Sequence, residues 1–146
     1  MKRIFLIFSL FLAVSFSSCF KKDKKGCTDF SATNYNSDAV KDCGCCQYEK
    51  VVFYSRYAGY TLNGLAYPIN AFPVKVYINE QDAGTITAFY PGGLGTATVP
   101  GVVVHNPGNQ KKVEWYAKVT FPNGSFVILG SGTLYAGKSP SFIAIY

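Results

Sequence analysis

Residues 113–121 read VEWYAKVTF, residues 122–125 read PNGS, and residues 126–134 read FVILGSGTL. The first stretch alternates apolar and polar side chains, and a period of two is that of a β-strand with one buried face. The segment 122–125 is typical of a hairpin turn, so residues 126–134 are predicted to return as the partner strand. On the first strand we expect one apolar face to enter a core, comprising Val113, Trp115, Ala117, Val119 and Phe121.

The same alternation continues on both sides of this hairpin, between Gly, Pro and Asn turns about ten residues apart. No stretch keeps a helical period for three turns. Residues 49–146 are therefore predicted to form an all-β domain, an antiparallel β-sandwich of about seven strands, immunoglobulin-like or transthyretin-like. Phe72, Val74, Val76 and Ile78 are expected to face inward on one strand. Besides the central hairpin, strands are predicted at 51–57, 72–78, 85–90, 97–104 and 141–146, with a turn over 79–84.

The composition favours one folded domain and excludes several classes of protein. Of the 146 residues 49% are hydrophobic and 15% charged, which is enough apolar material for a core and too little charge for a disordered chain. The formal net charge is +6, and it falls to +4 without Lys2 and Arg3. The domain has no cluster of Lys and Arg interleaved with aromatic residues, so nucleic acid is not an expected partner.

The first residues have the pattern of an export signal. A basic pair precedes an apolar stretch at residues 4–16 that is too short to span a bilayer, and two serines lead into Cys19. This order resembles the bacterial lipoprotein signal, in which the leader is cut before a lipid-modified cysteine; Phe16 stands where Leu is usual. The resemblance implies a signal peptide at 1–18, lipidation of Cys19 and a basic tether at 19–26 that joins the protein to a membrane. An ordinary secretory signal is the alternative.

The residues after Cys19 bear on which membrane is involved. In the lipoprotein sorting rule an Asp at the next position retains the protein at the inner membrane, and here that position is Phe20. We therefore expect the cell outer membrane. Surface-export tethers in related bacteria are usually acidic, whereas residues 21–25 read KKDKK. Whether the domain faces the periplasm or the cell surface stays open.

A cysteine-rich segment, residues 27–48, follows the tether. With the preceding glycine it reads GCTDFSATNYNSDAVKDCGCCQY. It resembles a small repeat of bacterial secreted and surface proteins, which starts Gly-Cys-Thr-Asp, passes through Asn-Tyr-Asn and closes on Cys-x-Tyr; Cys43 and Cys45 depart from that pattern. The resemblance implies a disulfide between Cys27 and Cys46, and an exported chain meets the oxidising conditions in which such a bond persists. A loop of this size is expected to gain about 3 kcal/mol from the bond.

The state of the two remaining cysteines and the binding of a metal ion by this segment are open. Cys43 and Cys45 could pair across one residue, stay as thiols or pair with another molecule, since four cysteines allow three connectivities. A four-thiolate zinc site is a further alternative, although the usual Cys-x-x-Cys spacing is missing. Calcium is also considered, but the EF-hand pattern fails at Ala39, and local turn bonding competes with it. The side chains that alternate like calcium ligands are Asn34, Asn36, Asp38 and Asp42.

A second resemblance lies within the β-domain. Residues 73–79 read PVKVYIN and residues 83–86 read AGTI. This resembles the hairpin of small bacterial surface β-domains related to the PEGA domain. The resemblance implies a structural or interaction role in the envelope and carries over no catalytic residue.

The chain offers little material for catalysis. His105, its one histidine, lies in a Val-His-Asn-Pro-Gly turn sequence and is expected to be solvated. No two carboxylates of the β-domain are singled out as the converging pair that a glycosidase needs. We expect no enzyme activity and no cofactor, although calcium binding is left open.

Outward-facing aromatic side chains are the candidate binding residues. The alternation places Tyr54, Tyr77 and Tyr116 on solvent-facing positions, where they could stack against a sugar or another protein. The first functional hypothesis is a non-catalytic, membrane-anchored envelope lipoprotein that acts as a protein-interaction or structural module. The alternative is a carbohydrate-binding or adhesion module at the cell surface.

Overall fold

A computed structural model describes residues 23–95 and 99–145, and every regular element among them is a β-strand. The predicted all-β class is confirmed. The expected signal peptide and Cys19 lie outside the described residues, which contain no helix long and apolar enough to cross a membrane. The strands are β1 (Lys25–Gly26), β2 (Lys41–Asp42), β3 (Val51–Tyr54), β4 (Gly59–Leu62), β5 (Leu65–Pro68), β6 (Val74–Ile78), β7 (Gln81–Ile86), β8 (Val103–His105), β9 (Lys112–Thr120), β10 (Phe126–Tyr135) and β11 (Ser141–Ala144).

Two sheets enclose the main core. The four-stranded sheet has the order β10-β9-β6-β7 and the three-stranded sheet the order β11-β3-β8. Side chains from both sheets form one buried cluster, as expected of a sandwich. The antiparallel prediction is wrong at one place, since β11 pairs with β3 in parallel. These are the first and last strands of the domain, and a parallel pair needs a long connection of the kind that the rest of the domain provides.

The central hairpin has the predicted pattern. Val113, Ala117 and Val119 are buried on β9, while Trp115 is partly buried and packs against Phe53 with ring centres 5.3 Å apart. Gly130 and Gly132 of β10 lie against that indole, and a Cβ at Gly130 would be 3.3 Å from it. Two glycines on the partner strand therefore make room for the largest side chain of the core.

Turn chemistry explains where strand boundaries differ from the prediction. Asn79 and Glu80 both have positive φ, 48° and 68°, so the hairpin turns at these two residues and β7 begins at Gln81 instead of residue 85. A Gly101 φ of 72° places a turn within the predicted strand 97–104, and among the described residues of that range, 99–104, the strand structure is confined to β8. The hairpin of β4 and β5 was not predicted, although its turn is the Asn63-Gly64 pair that typically marks one.

The cysteine-rich segment is closed by the implied Cys27–Cys46 disulfide, and a second disulfide joins Cys43 to Cys45. With all four sulfurs in disulfides, none is available as a zinc thiolate. Tyr48 packs against both the main core and the small cluster around Cys27, and its N–H donates to Gly108 O at 3.0 Å. The segment is thereby docked on one end of the sandwich.

Candidate functional site

The outer face of the four-stranded sheet carries a row of aromatic and cationic side chains. Tyr77 on β6 lies opposite Tyr116 on β9, and the two rings are parallel within 4° with centres 4.7 Å apart. The Lys118 Nζ lies 4.6 Å from the centre of the Tyr77 ring and 5.0 Å from that of Phe126 on β10. We call these four residues the aromatic row. The predicted outer-face positions of Tyr77 and Tyr116 are confirmed, and both side chains are half-buried by their neighbours.

One ring of the aromatic row, that of Tyr116, lies next to an open groove. The Tyr77 ring contacts both Tyr116 and Lys118, whereas Tyr116 also lines a groove of about 500 Å³. Around this ring the groove is lined by the carboxylates of Glu80 and Glu114, the amide of Asn79 and the hydroxyls of Ser131 and Thr133. The exposed aliphatic side chain of Ile128 also lines it. An aromatic ring beside several polar groups suits a ligand with both a flat apolar face and hydroxyl groups.

Backbone bonds fix the acidic side of this groove. The Asn79 N–H donates to Glu114 O at 2.8 Å, and the Glu114 N–H donates to Asn79 Oδ1 at 3.2 Å. The hydrogen bond and charge of Lys112 hold the pKa of Glu114 below its ordinary value, so this carboxylate stays ionised at neutral pH. The groove thus carries negative charge, and no nucleophile is paired with a base among the residues that line it.

The strand β10 lies at one edge of the same sheet. We call the hydrogen-bonding side of β10 that points away from β9 its free side. No other strand within residues 23–95 and 99–145 pairs with that side. Three large apolar side chains of β10 are exposed, those of Phe126 (56%), Ile128 (53%) and Tyr135 (66%). This is the feature that sequence reasoning missed. The alternation predicted a strand at 126–134 but contained no signal that the strand would be outermost.

Tyr54 is not a surface residue, and its predicted solvent exposure is wrong. It is 4% exposed because β3 is the middle strand of its sheet and is buried on both faces. The segment after β7 runs beside the end of β3, with Tyr90 N–H donating to Ser55 O at 2.7 Å, and a Cβ at Gly93 would lie 3.7 Å from the Tyr54 hydroxyl. The Tyr54 hydroxyl accepts a hydrogen bond from Arg56 Nε at 3.3 Å. Tyr54 is therefore part of the packing and not of a binding face.

The four side chains considered as calcium ligands each have a separate partner within the protein. Asn34 bridges the backbone of Cys45 and Gln47, at 2.8 Å on each side. Asn36 Oδ1 and Asp42 Oδ1 accept from backbone N–H groups two residues ahead, and Asp38 pairs with Lys24 at 3.0 Å. The bonds of Asn36 and Asp42 are the turn chemistry that competed with calcium, and the described residues hold no cluster of three or more His, Cys, Asp or Glu side chains arranged for a metal.

His105 also departs from its prediction. It lies at the end of β8 instead of in a solvated turn, paired with Val51. Its Nε2 is buried without a hydrogen-bond partner among the described residues, and desolvation lowers the pKa of the imidazole. The charged form is therefore disfavoured in the fold.

In comparisons with known proteins, no family model, no curated protein and no solved structure matches this chain.

Proposed function

We propose that this chain is a non-catalytic envelope lipoprotein, attached to the outer membrane through Cys19, whose sandwich binds an extended segment of another envelope protein along β10. The observation that carries the proposal is the ten-residue outermost strand with a free side and exposed apolar residues. Proteins normally shorten, charge or cover such strands, because a free side pairs with other chains. A long apolar one is therefore a surface for strand addition.

The hydrogen-bond pattern identifies the backbone groups available to a partner. In an antiparallel pair, alternate residues bond to the neighbouring strand. The bonds Phe121 N–H to Ser125 O and Ala136 N–H to Lys111 O, both 2.8 Å, fix this alternation at the two ends of the hairpin. A bulge between Ile128 and Gly130 shifts the alternation by one residue. The residues that turn their N–H and C=O groups to the free side are then Phe126, Ile128, Ser131, Thr133 and Tyr135.

The side chains favour a partner that is itself apolar and extended. The exposed side chains of Phe126 and Ile128 lie at the start of β10, and the exposed side chain of Tyr135 lies at its end. An added strand would place alternate side chains on the outer face beside these three residues. Lys118, already over the Phe126 ring, would lie close to that strand and favours an acidic residue in it.

Site-specific photo-crosslinking in intact cells tests this binding. A photoreactive amino acid at Ile128 or Thr133 should give one discrete adduct, identified by mass spectrometry as an envelope protein. The same group at Gln81, on the outermost strand at the opposite side of the sheet, is the control. With the photoreactive group at Ile128, Thr133→Pro removes an N–H on the free side without touching the pairs to β9 and should abolish the adduct, whereas Thr133→Val should keep it. Equal adducts from both sides of the sheet would refute specific strand binding.

The anchor is tested separately. Cys19→Ala should move the protein from the membrane fraction to the soluble envelope fraction and remove labelling by a palmitate analogue. Protease treatment of intact cells then places the domain. Release of peptides from residues 49–146 only after lysis indicates the periplasm, and release from intact cells indicates the cell surface.

Carbohydrate binding is the second candidate, and the groove beside Tyr116 favours it. The groove combines the Tyr116 ring with carboxylate and hydroxyl groups. Tyr116→Ala should then abolish binding on a glycan array while leaving the crosslink from Thr133 intact. Tyr135→Ala, which removes an exposed aromatic side chain outside the groove, should leave glycan binding unchanged.

A further inference from the structure

The two disulfides of the cysteine-rich segment lie in opposite environments. Cys27 and Cys46 are buried, 1% and 7% exposed, and belong to a small apolar cluster. Cys43 and Cys45 are both exposed and are separated by Gly44 alone. The space beside Gly44 is empty, with no atom within 4 Å of where a Cβ would be. A thiolate can therefore approach the Cys43–Cys45 bond from solvent but not the Cys27–Cys46 bond.

The exposed disulfide adds little to the fold. It closes a loop with a sequence separation of 2, against 19 for the buried one, and the entropy that a cross-link removes from the unfolded chain grows with loop size. Other bonds hold both ends of the short loop. Cys43 N–H donates to Gly26 O at 3.0 Å, and Cys45 O accepts from Asn34 Nδ2 at 2.8 Å. The loop can open its disulfide without losing its attachment.

A hydrogen bond distinguishes the two sulfurs. The Cys45 N–H lies 3.1 Å from Cys43 Sγ and donates to it. Such a bond stabilises a thiolate at Cys43 more than one at Cys45. Because a sulfur that is stabilised as thiolate is the better leaving group, Cys43 should leave and Cys45 should be attacked.

We propose that Cys43–Cys45 is a thiol–disulfide exchange site, which accepts two electrons from a dithiol. One thiolate of the dithiol attacks Cys45 Sγ, the Cys43–Cys45 bond breaks, and its electron pair goes to Cys43 as thiolate. The second thiolate of the dithiol then attacks the mixed disulfide and releases Cys45 as thiolate. The dithiol ends as a disulfide and the chain as two thiols. This role is independent of strand binding at β10.

Limited reduction of the full chain, extracted from envelopes in detergent, tests the proposal. The protein is treated with increasing dithiothreitol, trapped with N-ethylmaleimide and mapped by mass spectrometry. Cys43 and Cys45 should both be labelled while Cys27–Cys46 stays intact, with a rate of opening about tenfold or more above that of the buried bond. The Cys43→Ser/Cys45→Ser double variant should take up no label under the same conditions. Opening of both bridges together, or of Cys27–Cys46 first, would overturn the proposal.

A matched pair of single variants tests which sulfur leaves. Cys45→Ser leaves a thiol at Cys43 that keeps the backbone N–H donor, and Cys43→Ser leaves a thiol at Cys45 without it. At neutral pH the Cys43 thiol should react with iodoacetamide several times faster than the Cys45 thiol. Peptide mapping confirms in each variant that Cys27–Cys46 is intact. An equal or faster reaction at Cys45 would refute the assigned direction of attack.

Discussion

The Lys111 ammonium donates a 2.7 Å hydrogen bond to the Asp29 carboxylate across 82 positions of the chain. Asp29 belongs to the cysteine-rich segment, and Lys111 lies immediately before β9 of the sandwich. The same carboxylate accepts the Tyr48 hydroxyl at 2.9 Å and the Ser31 N–H and hydroxyl at 2.9 and 2.7 Å. The Asp29 carboxylate thus forms hydrogen bonds within its own loop and also joins that loop to the sandwich through Lys111.

This contact predicts acid sensitivity. The bond from Lys111, followed by those from Ser31, holds the pKa of Asp29 far below its ordinary 3.8. A carboxyl group with a depressed pKa in the fold adds stability that is complete above its unfolded value and is lost as pH falls below it. Asp29→Asn should therefore lower the unfolding midpoint at pH 7 and flatten the loss of stability below about pH 4. Thermal unfolding followed by circular dichroism at several pH values measures both effects.

Asp82→Asn is the matched control for that prediction. Asp82 also pairs with a lysine, Lys75, but at 3.4 Å with both side chains about half exposed. Exposed pairs of this kind contribute little to stability. A loss for Asp82→Asn as large as that for Asp29→Asn would contradict the special role of the Lys111 contact.

The two disulfides should differ in their effect on stability. Cys27→Ser/Cys46→Ser should lower the free energy of unfolding by about 3 kcal/mol, the value expected for a loop of this size. Cys43→Ser/Cys45→Ser should lower it by about 1.5 kcal/mol or less, because the loop is minimal and the bonds at its ends remain. Urea unfolding of both double variants gives the comparison. Equal losses would show that the short loop is structural.

Tyr54 and Tyr116 provide a test of which tyrosines are structural. Tyr54→Ala should cost about 3–5 kcal/mol, since it empties a buried aromatic position. Tyr116→Ala removes a half-buried cross-strand contact and should cost about 1 kcal/mol or less. Denaturant unfolding measures both variants. A cost for Tyr116→Ala as large as that for Tyr54→Ala would place the outer-face ring in the core of the fold and weaken the groove as a ligand site.

The sequence predicted the sandwich best where periodicity acts alone. The β9 alternation identified Val113, Ala117 and Val119 as core because a two-residue period depends only on local backbone geometry. The prediction for Tyr54 was wrong because it assumed that every strand has one solvent-exposed face. β3 is buried on both faces, and the segment around Gly93, far along the chain, lies against the Tyr54 hydroxyl, so this burial depends on tertiary contacts.

The candidate site was predictable only in part. Tyr77 and Tyr116 were found on the outer face by alternation, yet their mutual stacking follows from the register of β6 against β9. The free side of β10 follows from strand order, which no local pattern encodes. The β4–β5 hairpin was different, since its Asn-Gly turn signal was present in the sequence and was not used.

Gly101 and Gly124 share a left-handed backbone but differ in their surroundings. Their φ values are 72° and 82°. A Cβ at Gly101 would lie 2.5 Å from Ala88 Cβ, whereas nothing lies within 4 Å of that position at Gly124. Gly124→Ala should therefore cost about 1 kcal/mol for the backbone alone, and Gly101→Ala about 3 kcal/mol or more. Chemical denaturation tests the difference. Equal costs would mean that the contact between Gly101 and Ala88 is not tight in solution.

Stability near neutral pH should depend on His105, the one histidine of the chain. Burial lowers its pKa below 6.5, so the unfolded state binds a proton more readily than the fold does. The free energy of unfolding should then be constant above about pH 7 and fall as pH drops through 6.5 toward the folded pKa. His105→Phe removes both the titration and the unpartnered Nε2, so its stability should be flat across this window and exceed that of the parent at pH 5.5. Urea unfolding between about pH 5 and 8 decides the matter. A parent protein whose stability rises on acidification would show that the imidazole is charged and paired in solution.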